Sequence, residues 1–514
     1  MKPFRHFCGA LLLAATVAFA DEKPQPAPAD AAPAEKKPEP KKDEKPADTK
    51  PKEHAGQVTL GGVEVKYFAH TGTIPVLKDD GAAKADVFYV YYAAADADWK
   101  RLAAKDPSTR PITFCFNGGP GASAVWLHLG GLGPRRLDLP PDGLTPATIA
   151  RIVDNPNSIL DATDLVFVDP VSTGLSRAAK GEKPEQFFGV EEDIAACGEF
   201  VRLFTTREQR WLSPKYLLGE SYGVLRVAGL ADYLQDRHGL YCEGLVLMSG
   251  IVNFQTLSPA TANDLPYVLF LPTLTATAHW HKKLPPDMPA DLAKAVAESR
   301  AFAQGEYATA LHRGANLPAA ERTQLAGKLA RLTGLSATQI EEQDLRIDSS
   351  FFREMLLRKE GKILGRFDAR VTGEDGDRSE LRPEFDPSFS NIVGGFSSAI
   401  NAYVRGELGY ESDHPYHLLN GLPKWSNPEG RYASTEPRLA EALKTNPRLR
   451  VLILAAYRDL ACPEDTLRFS LDHLTLPAKT RANFITERYE SGHMMYLYRP
   501  DAEKLRADLL RFLK

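Results

Sequence analysis

The sequence predicts an α/β fold: a mostly parallel central sheet with helices on both faces, carrying a helix-rich inserted lid. Three observations predict it. From Gln57 onward, short β-branched or aromatic runs alternate with longer amphipathic stretches. One such run leads directly into a glycine-flanked serine and then into helical spacing. Between about residues 253 and 386 the strand pattern gives way to helical spacing, and it resumes only near Arg450.

In chain order, strands are expected at 87–92, 112–116, 165–169, 216–218, 245–248, 451–455 and 484–488, each a short run of β-branched, aromatic or aliphatic residues. Helical spacing is found at 224–234 and, within the insertion, at 292–304, 319–332 and 337–343. The chain therefore divides into 1–20, 21–56, a first core part 57–252, a lid insertion 253–386 and a second core part 387–514. A length of 514 residues fits one elaborated catalytic domain whose lid lies between its two halves.

Lys2, Arg5 and His6 precede an apolar stretch at 8–19, and Ala18-Phe19-Ala20 precedes Asp21, the layout of a cleavable signal peptide. The apolar stretch is shorter than the ~20 residues a bilayer span needs. Export to a periplasm or the extracellular space is expected, with no integral membrane segment after signal removal. Residues 21–56 are rich in Pro, Ala, Lys and Glu and nearly lack large apolar side chains, so burial cannot offset their chain entropy. A disordered spacer is expected there.

With 43% hydrophobic and 25% charged residues the remainder can bury a core, and a net charge of -4 gives no electrostatic footprint for nucleic acid. Beyond the signal only Cys115, Cys197, Cys242 and Cys462 remain, too sparse for a disulfide scaffold and without metal-ligand spacing. His279 and His281 flank Trp280, but no third ligand lies nearby. Neither metal nor organic cofactor is expected, and oligomeric state is not encoded in these patterns.

The chemistry begins at Gly219-Glu220-Ser221-Tyr222-Gly223. A G-x-S-x-G arises by chance in a long chain, but a strand before it and a helix after it are the context of a nucleophile elbow, the hallmark of the α/β-hydrolase fold. Glycines flank the serine because Cβ atoms there would collide in the sharp turn. A serine hydroxyl needs a base and an acid to orient it. Asp459 follows the strand 451–455, and His493 lies in a loop after the strand 484–488, giving the order serine, acid, histidine. Asn117-Gly118-Gly119-Pro120-Gly121 follows the strand 112–116 and can bring backbone N–H groups close to a developing oxyanion, as can the N–H of Tyr222.

Together, Asn117 to Gly121 (NGGPG), Gly133 and Pro134, Asp169 and Pro170 within DPVSTGLS, Glu220 to Tyr222 (ESY), Asp459 with Cys462, and Gly492 to Met494 (GHM) resemble the serine carboxypeptidase family, in the same order and from about Val63 to the C-terminus. The resemblance implies Ser221, Asp459 and His493 as triad, Gly119 and Tyr222 as oxyanion donors, and Asn117 and Glu220 as the groups that bind a peptide's terminal carboxylate. Glu220 can do so only when protonated. Gly118, Cys462 and Met494 are implied as pocket neighbours. Three departures stand out. Cys115 replaces a tryptophan, Gly131 replaces a glutamate that would partner Glu220, and Met495, Tyr496 and Tyr498 follow GHM where a proline and an aspartate are usual. Arg135 and Arg136 are positioned to offer an alternative carboxylate clamp. The family's usual disulfide set is absent, which suggests a bacterial branch.

The expected function is serine-type carboxypeptidase action on a peptide substrate through an acyl-enzyme. The same triad could instead serve an esterase or acyltransferase, and a catalytically idle binding protein on the same scaffold is the alternative of another class.

Overall fold

The computed structural model describes residues 51–514 except 79, 147–149, 378, 423–424 and 426–431. The predicted signal peptide and most of the predicted linker lie outside the described residues. The main strands are β1 (Lys52–Leu60), β2 (Val63–Leu77), β3 (Ala83–Ala95), β4 (Ile112–Phe116), β5 (Asp164–Val168), β6 (Lys215–Glu220), β7 (Gly244–Met248), β8 (Arg450–Ala456) and β9 (Phe484–Tyr489). They join one sheet in the order β1-β2-β3-β5-β4-β6-β7-β8-β9. From β5 to β9 every neighbouring pair is parallel. The β1, β2, β3 and β5 pairings are antiparallel.

All seven predicted strands are present, and two were not foreseen. β1 and β2 pair in register from Lys52↔Thr71 to Leu60↔Val63, so the predicted spacer boundary at residue 56 is too late. The reason is that an edge ladder is made by backbone groups. β1 leaves most of its side chains exposed and so carries no apolar signature. The inner strands β4, β5, β6 and β7 bury every residue, as parallel strands covered on both faces must.

Successive side chains feed opposite faces. Phe114, Phe116, Leu217 and Leu245 join one core with α1 (Val190–Arg207) and α2 (Tyr222–His238). Cys115, Leu218, Val246 and Leu452 join the other, with Trp126 and the helices Pro387–Ala402 and Arg499–Leu513. Between β7 and β8 lie α3 (Leu265–Trp280), α4 (Leu292–Phe302), α5 (Ala319–Thr333), further short helices and the hairpin Lys362–Leu364 with Thr372–Glu374. Leu271, Leu274, Leu329 and Phe352 form a third core there, which also takes in Leu460 from the segment next to Asp459.

α4 and α5 match their sequence periodicity within two residues, and α4 passes into a π-turn at Ala303–Tyr307. α3 had no periodic signal because nearly all of it from Pro266 to Ala278 is buried, leaving no polar stripe. Among the described residues no helix is long and apolar enough to cross a membrane.

Candidate active site

β6 runs straight into Ser221, which has φ 63 and ψ −127, and α2 starts at the next residue. A non-glycine residue in this region is strained by roughly 1–3 kcal/mol and is held there only by its surroundings. The Ser221 N–H donates to the carbonyls of Met248 and Ser249 at the end of β7. The glycines are sterically required: a Cβ on Gly219 would lie 2.1 Å from the Gly223 oxygen, and one on Gly223 2.4 Å from the Phe116 oxygen. The turn holds Ser221 half-buried at the C-terminal edge of the sheet, among side chains that are otherwise covered.

The Asn117–Gly121 loop leaves the C-terminal end of β4 beside this turn. A Cβ on Gly118 would lie 2.4 Å from the Tyr222 nitrogen, so the missing side chain of Gly118 leaves room at the head of α2. As the first helical residue, Tyr222 has an N–H with no acceptor inside the helix. Gly119 has φ 101, a conformation open to glycine and strained for other residues. Contacts from other elements hold this loop and the residues just after it. Arg226 of α2 donates to the Asn117 carbonyl at 2.5 Å and pairs with Asp193 of α1. Asp169, buried and thereby pushed up to about 6, accepts from the Ala124 N–H at 2.8 Å and from Tyr416 at 3.2 Å.

Asp459 is fully buried just beyond β8, and its two oxygens have separate tasks. Oδ1 accepts the N–H groups of Ala461 and Cys462 at 2.8 and 2.9 Å. Oδ2 lies 2.8 Å from His493 Nδ1, which leaves Nε2 as the free imidazole nitrogen. Burial opposes the His493 cation, but the Asp459 carboxylate outweighs it and holds the pKa above the ordinary value of 6.5. The insertion reaches this pair: the Phe367 carbonyl accepts from the His493 N–H at 2.6 Å, and the two rings are 5.2 Å apart. Cys462 lies beside the Ser221 hydroxyl, and burial raises its thiol well above the usual range, so it is neutral.

Glu220 and Asn117 are both buried next to the elbow. The Asn117 Oδ1 accepts from the Leu127 N–H at 3.0 Å, which turns its amide N–H groups away from that bond. Tyr496 donates to Glu220 Oε2 at 2.8 Å. Burial pushes Glu220 up to about 7, against the pull of His493 and this hydrogen bond. The two arginines that follow Pro134 have separate surroundings. Arg135 is paired with Asp154 and Glu407, and Arg136 lines a cavity of about 410 Å³ with Gly131, Tyr496 and Arg499. Met494 is nearly buried and lines a small recess with Phe367, Asp368 and Leu497.

Cys115, Cys197, Cys242 and Cys462 are all free and buried. His279 Nε2 meets the Ala290 carbonyl and His281 Nε2 the Ala369 carbonyl, so both rings are engaged in local backbone contacts. Sequence reasoning missed the parts played by Arg226 and Phe367, whose contacts are with residues distant in the chain. Tyr496 was visible only as a departure after GHM.

A family model described as serine carboxypeptidase matches residues 65–282, which include Asn117, Glu220 and Ser221. Among curated proteins, the chain is 24% identical over 176 residues to serine carboxypeptidase S10 family member 1 of Dictyostelium discoideum, covering 33% of this chain and 37% of that one. It is 24% identical over 196 residues to the lysosomal protective protein of Mus musculus, covering 37% and 38%. The chain thus spans well under half the length of these relatives. The crystal structure of Kex1Δp, a prohormone-processing carboxypeptidase from Saccharomyces cerevisiae, superposes with a TM-score of 0.54 at 17% identity, covering 87% of this chain and 91% of that one. That likeness confirms the α/β-hydrolase fold across both halves of the core.

Proposed function

We propose, from the premise that this chain is a member of the serine carboxypeptidase family, that it removes C-terminal residues from peptides by acyl-enzyme chemistry. In this reading Ser221 Oγ attacks the last peptide carbonyl while His493 Nε2 takes its proton. His493 then protonates the departing amino group, and a water activated by the same nitrogen releases the acyl chain. Asp459 holds the imidazole in the tautomer this requires. The N–H groups of Gly119 and Tyr222 receive the oxyanion.

One observation favours peptides with a free C-terminus over esters in general: a carboxyl, Glu220, is buried beside the nucleophile and hydrogen-bonded by Tyr496. Protonated, it can donate to a substrate carboxylate; ionised, it repels one. Lid residues 253–386 would supply the remaining pocket walls. Export by way of residues 1–20 belongs to the same proposal, and a mature chain beginning at Asp21 is the N-terminal sequence that would support it.

The pH dependence carries the test. The productive form has a neutral His493 and a protonated Glu220. As pH rises through about 7, Glu220 loses its proton and kcat/KM for a blocked dipeptide with a free C-terminus should fall. On the acid side both substrate types should decline as His493 takes a proton, beginning above pH 6.5 because Asp459 raises its pKa. An ester analogue without the free carboxylate should lack the alkaline fall. Ester turnover without peptide turnover would reassign the triad to an esterase or acyltransferase, and failure of a serine-reactive phosphonate to label Ser221 would point to an idle binding protein.

A further inference from the structure

Resting on the carboxypeptidase reading, we propose that Tyr496 is a positioning residue for carboxylate recognition: its hydroxyl stands in for a second acid beside Glu220, and Gly130 and Gly131 form the seat of its ring. The geometry is specific. The hydroxyl donates to Glu220 Oε2 at 2.8 Å in a buried setting. A Cβ on Gly130 would lie 2.7 Å from Tyr496 Cε2, and one on Gly131 3.0 Å from Cγ. A side chain at residue 130 would force the ring to move, and one at residue 131 would press on it more tightly than ordinary packing allows. Both glycines belong to the π-turn Trp126–Leu132, and the N–H of Leu127 in that turn orients Asn117. The glycine at 131 and the tyrosine at 496 therefore form one structural exchange made in two places.

The exchange alters the chemistry of the pair. Two carboxyl groups in contact hold together by sharing a proton and repel once both ionise. A phenol donates to Glu220 whether that group is charged or neutral, because burial and the Glu220 charge keep Tyr496 protonated far above its ordinary range. With Oε2 occupied by Tyr496, the Glu220 proton belongs on Oε1, so one oxygen is left to meet the substrate. The other ionisable groups that act on Glu220 are His493 and Asp459. On its other contacts, the Tyr496 ring shares the 410 Å³ cavity with Arg136, Arg499 and Glu503.

Tyr496→Phe keeps the ring in its seat and removes only the donor. The carboxyl titration of Glu220 would be followed by isotope-edited infrared spectroscopy of the full chain labelled with carbon-13 glutamate, with Glu220→Gln assigning the band. Loss of the hydroxyl should move the midpoint up by about one pH unit, since a donor to the charged form has gone. The alkaline limb for the free-carboxylate substrate should shift by the same amount and its KM should rise, while the ester still shows no alkaline limb and its KM stays as it was. Gly130→Ala should reproduce the shift by displacing the ring. An unmoved Glu220 midpoint, with activity on both substrates reduced alike, would overturn the proposal and leave Tyr496 as packing. If the unaltered protein shows no preference for the free carboxylate, the carboxypeptidase reading falls, while the infrared midpoint still decides whether Tyr496 governs Glu220.

Discussion

Ser221→Ala is expected to lower kcat by about 10⁵-fold or more while leaving stability within about 0.5 kcal/mol of the unaltered protein. Both halves of this expectation come from the elbow. Alanine meets the same backbone strain at φ 63 as serine does, so the turn is neither eased nor worsened. Ser221 is half-buried, and its neighbour Cys462 is a weak polar group, so little is left unsatisfied when the hydroxyl goes. The whole loss should then fall on the chemical step. Asp459→Asn should cost about 10⁴-fold, because an amide nitrogen opposite His493 Nδ1 would force the proton onto Nε2, where the serine needs an acceptor. Single-turnover kinetics with active-site labelling by a phosphonate measure both. Retention of more than a tenth of the activity in Ser221→Ala would remove Ser221 from the nucleophile's role.

Arg226→Met is expected to destabilise the protein by about 3–5 kcal/mol. The guanidinium is buried and grips Asp193 through two bonds, at 2.8 and 3.2 Å. It stacks over Phe116 and Tyr222 at 5.8 and 5.3 Å and donates to the Asn117 carbonyl. Removing it strands a carboxylate in the core, and that penalty exceeds the worth of the pair itself. It also frees the loop that carries Gly118 and Gly119, so kcat should fall as well. Combining Arg226→Met with Asp193→Asn removes both charges and should recover much of the stability lost, but not the loop restraint and so not the activity. Urea unfolding and kcat of the two variants test this together. A double variant no more stable than Arg226→Met alone would show that the ion pair is not the source of the loss.

Sequence alone carried the parts of the site that are written in short segments. The elbow is legible because its strand, its two glycines and its helix are contiguous, and each is dictated by local sterics within a few residues of Ser221. The same holds for Asn117–Gly121 after β4. Asp459 and His493 were found by their positions after strands, since a parallel sheet places all its strand ends at one edge and so gathers the loops that follow them. β1 and the buried α3 were missed for opposite reasons: one shows too little apolar surface to leave a pattern, the other is apolar on every side.

What the sequence by itself determined is therefore seven of the nine main strands, the elbow and the identity of the triad candidates, all of which follow from periodicity and turn chemistry within single segments. Tertiary structure alone decided how those residues are supported. Tyr496 reaches Glu220 across 276 positions and Arg226 reaches Asn117 across 109, and Phe367 of the insertion closes on His493. Such contacts leave no local trace, because the free energy of burying and pairing a polar group depends on what the folded chain brings beside it and not on its neighbours in sequence.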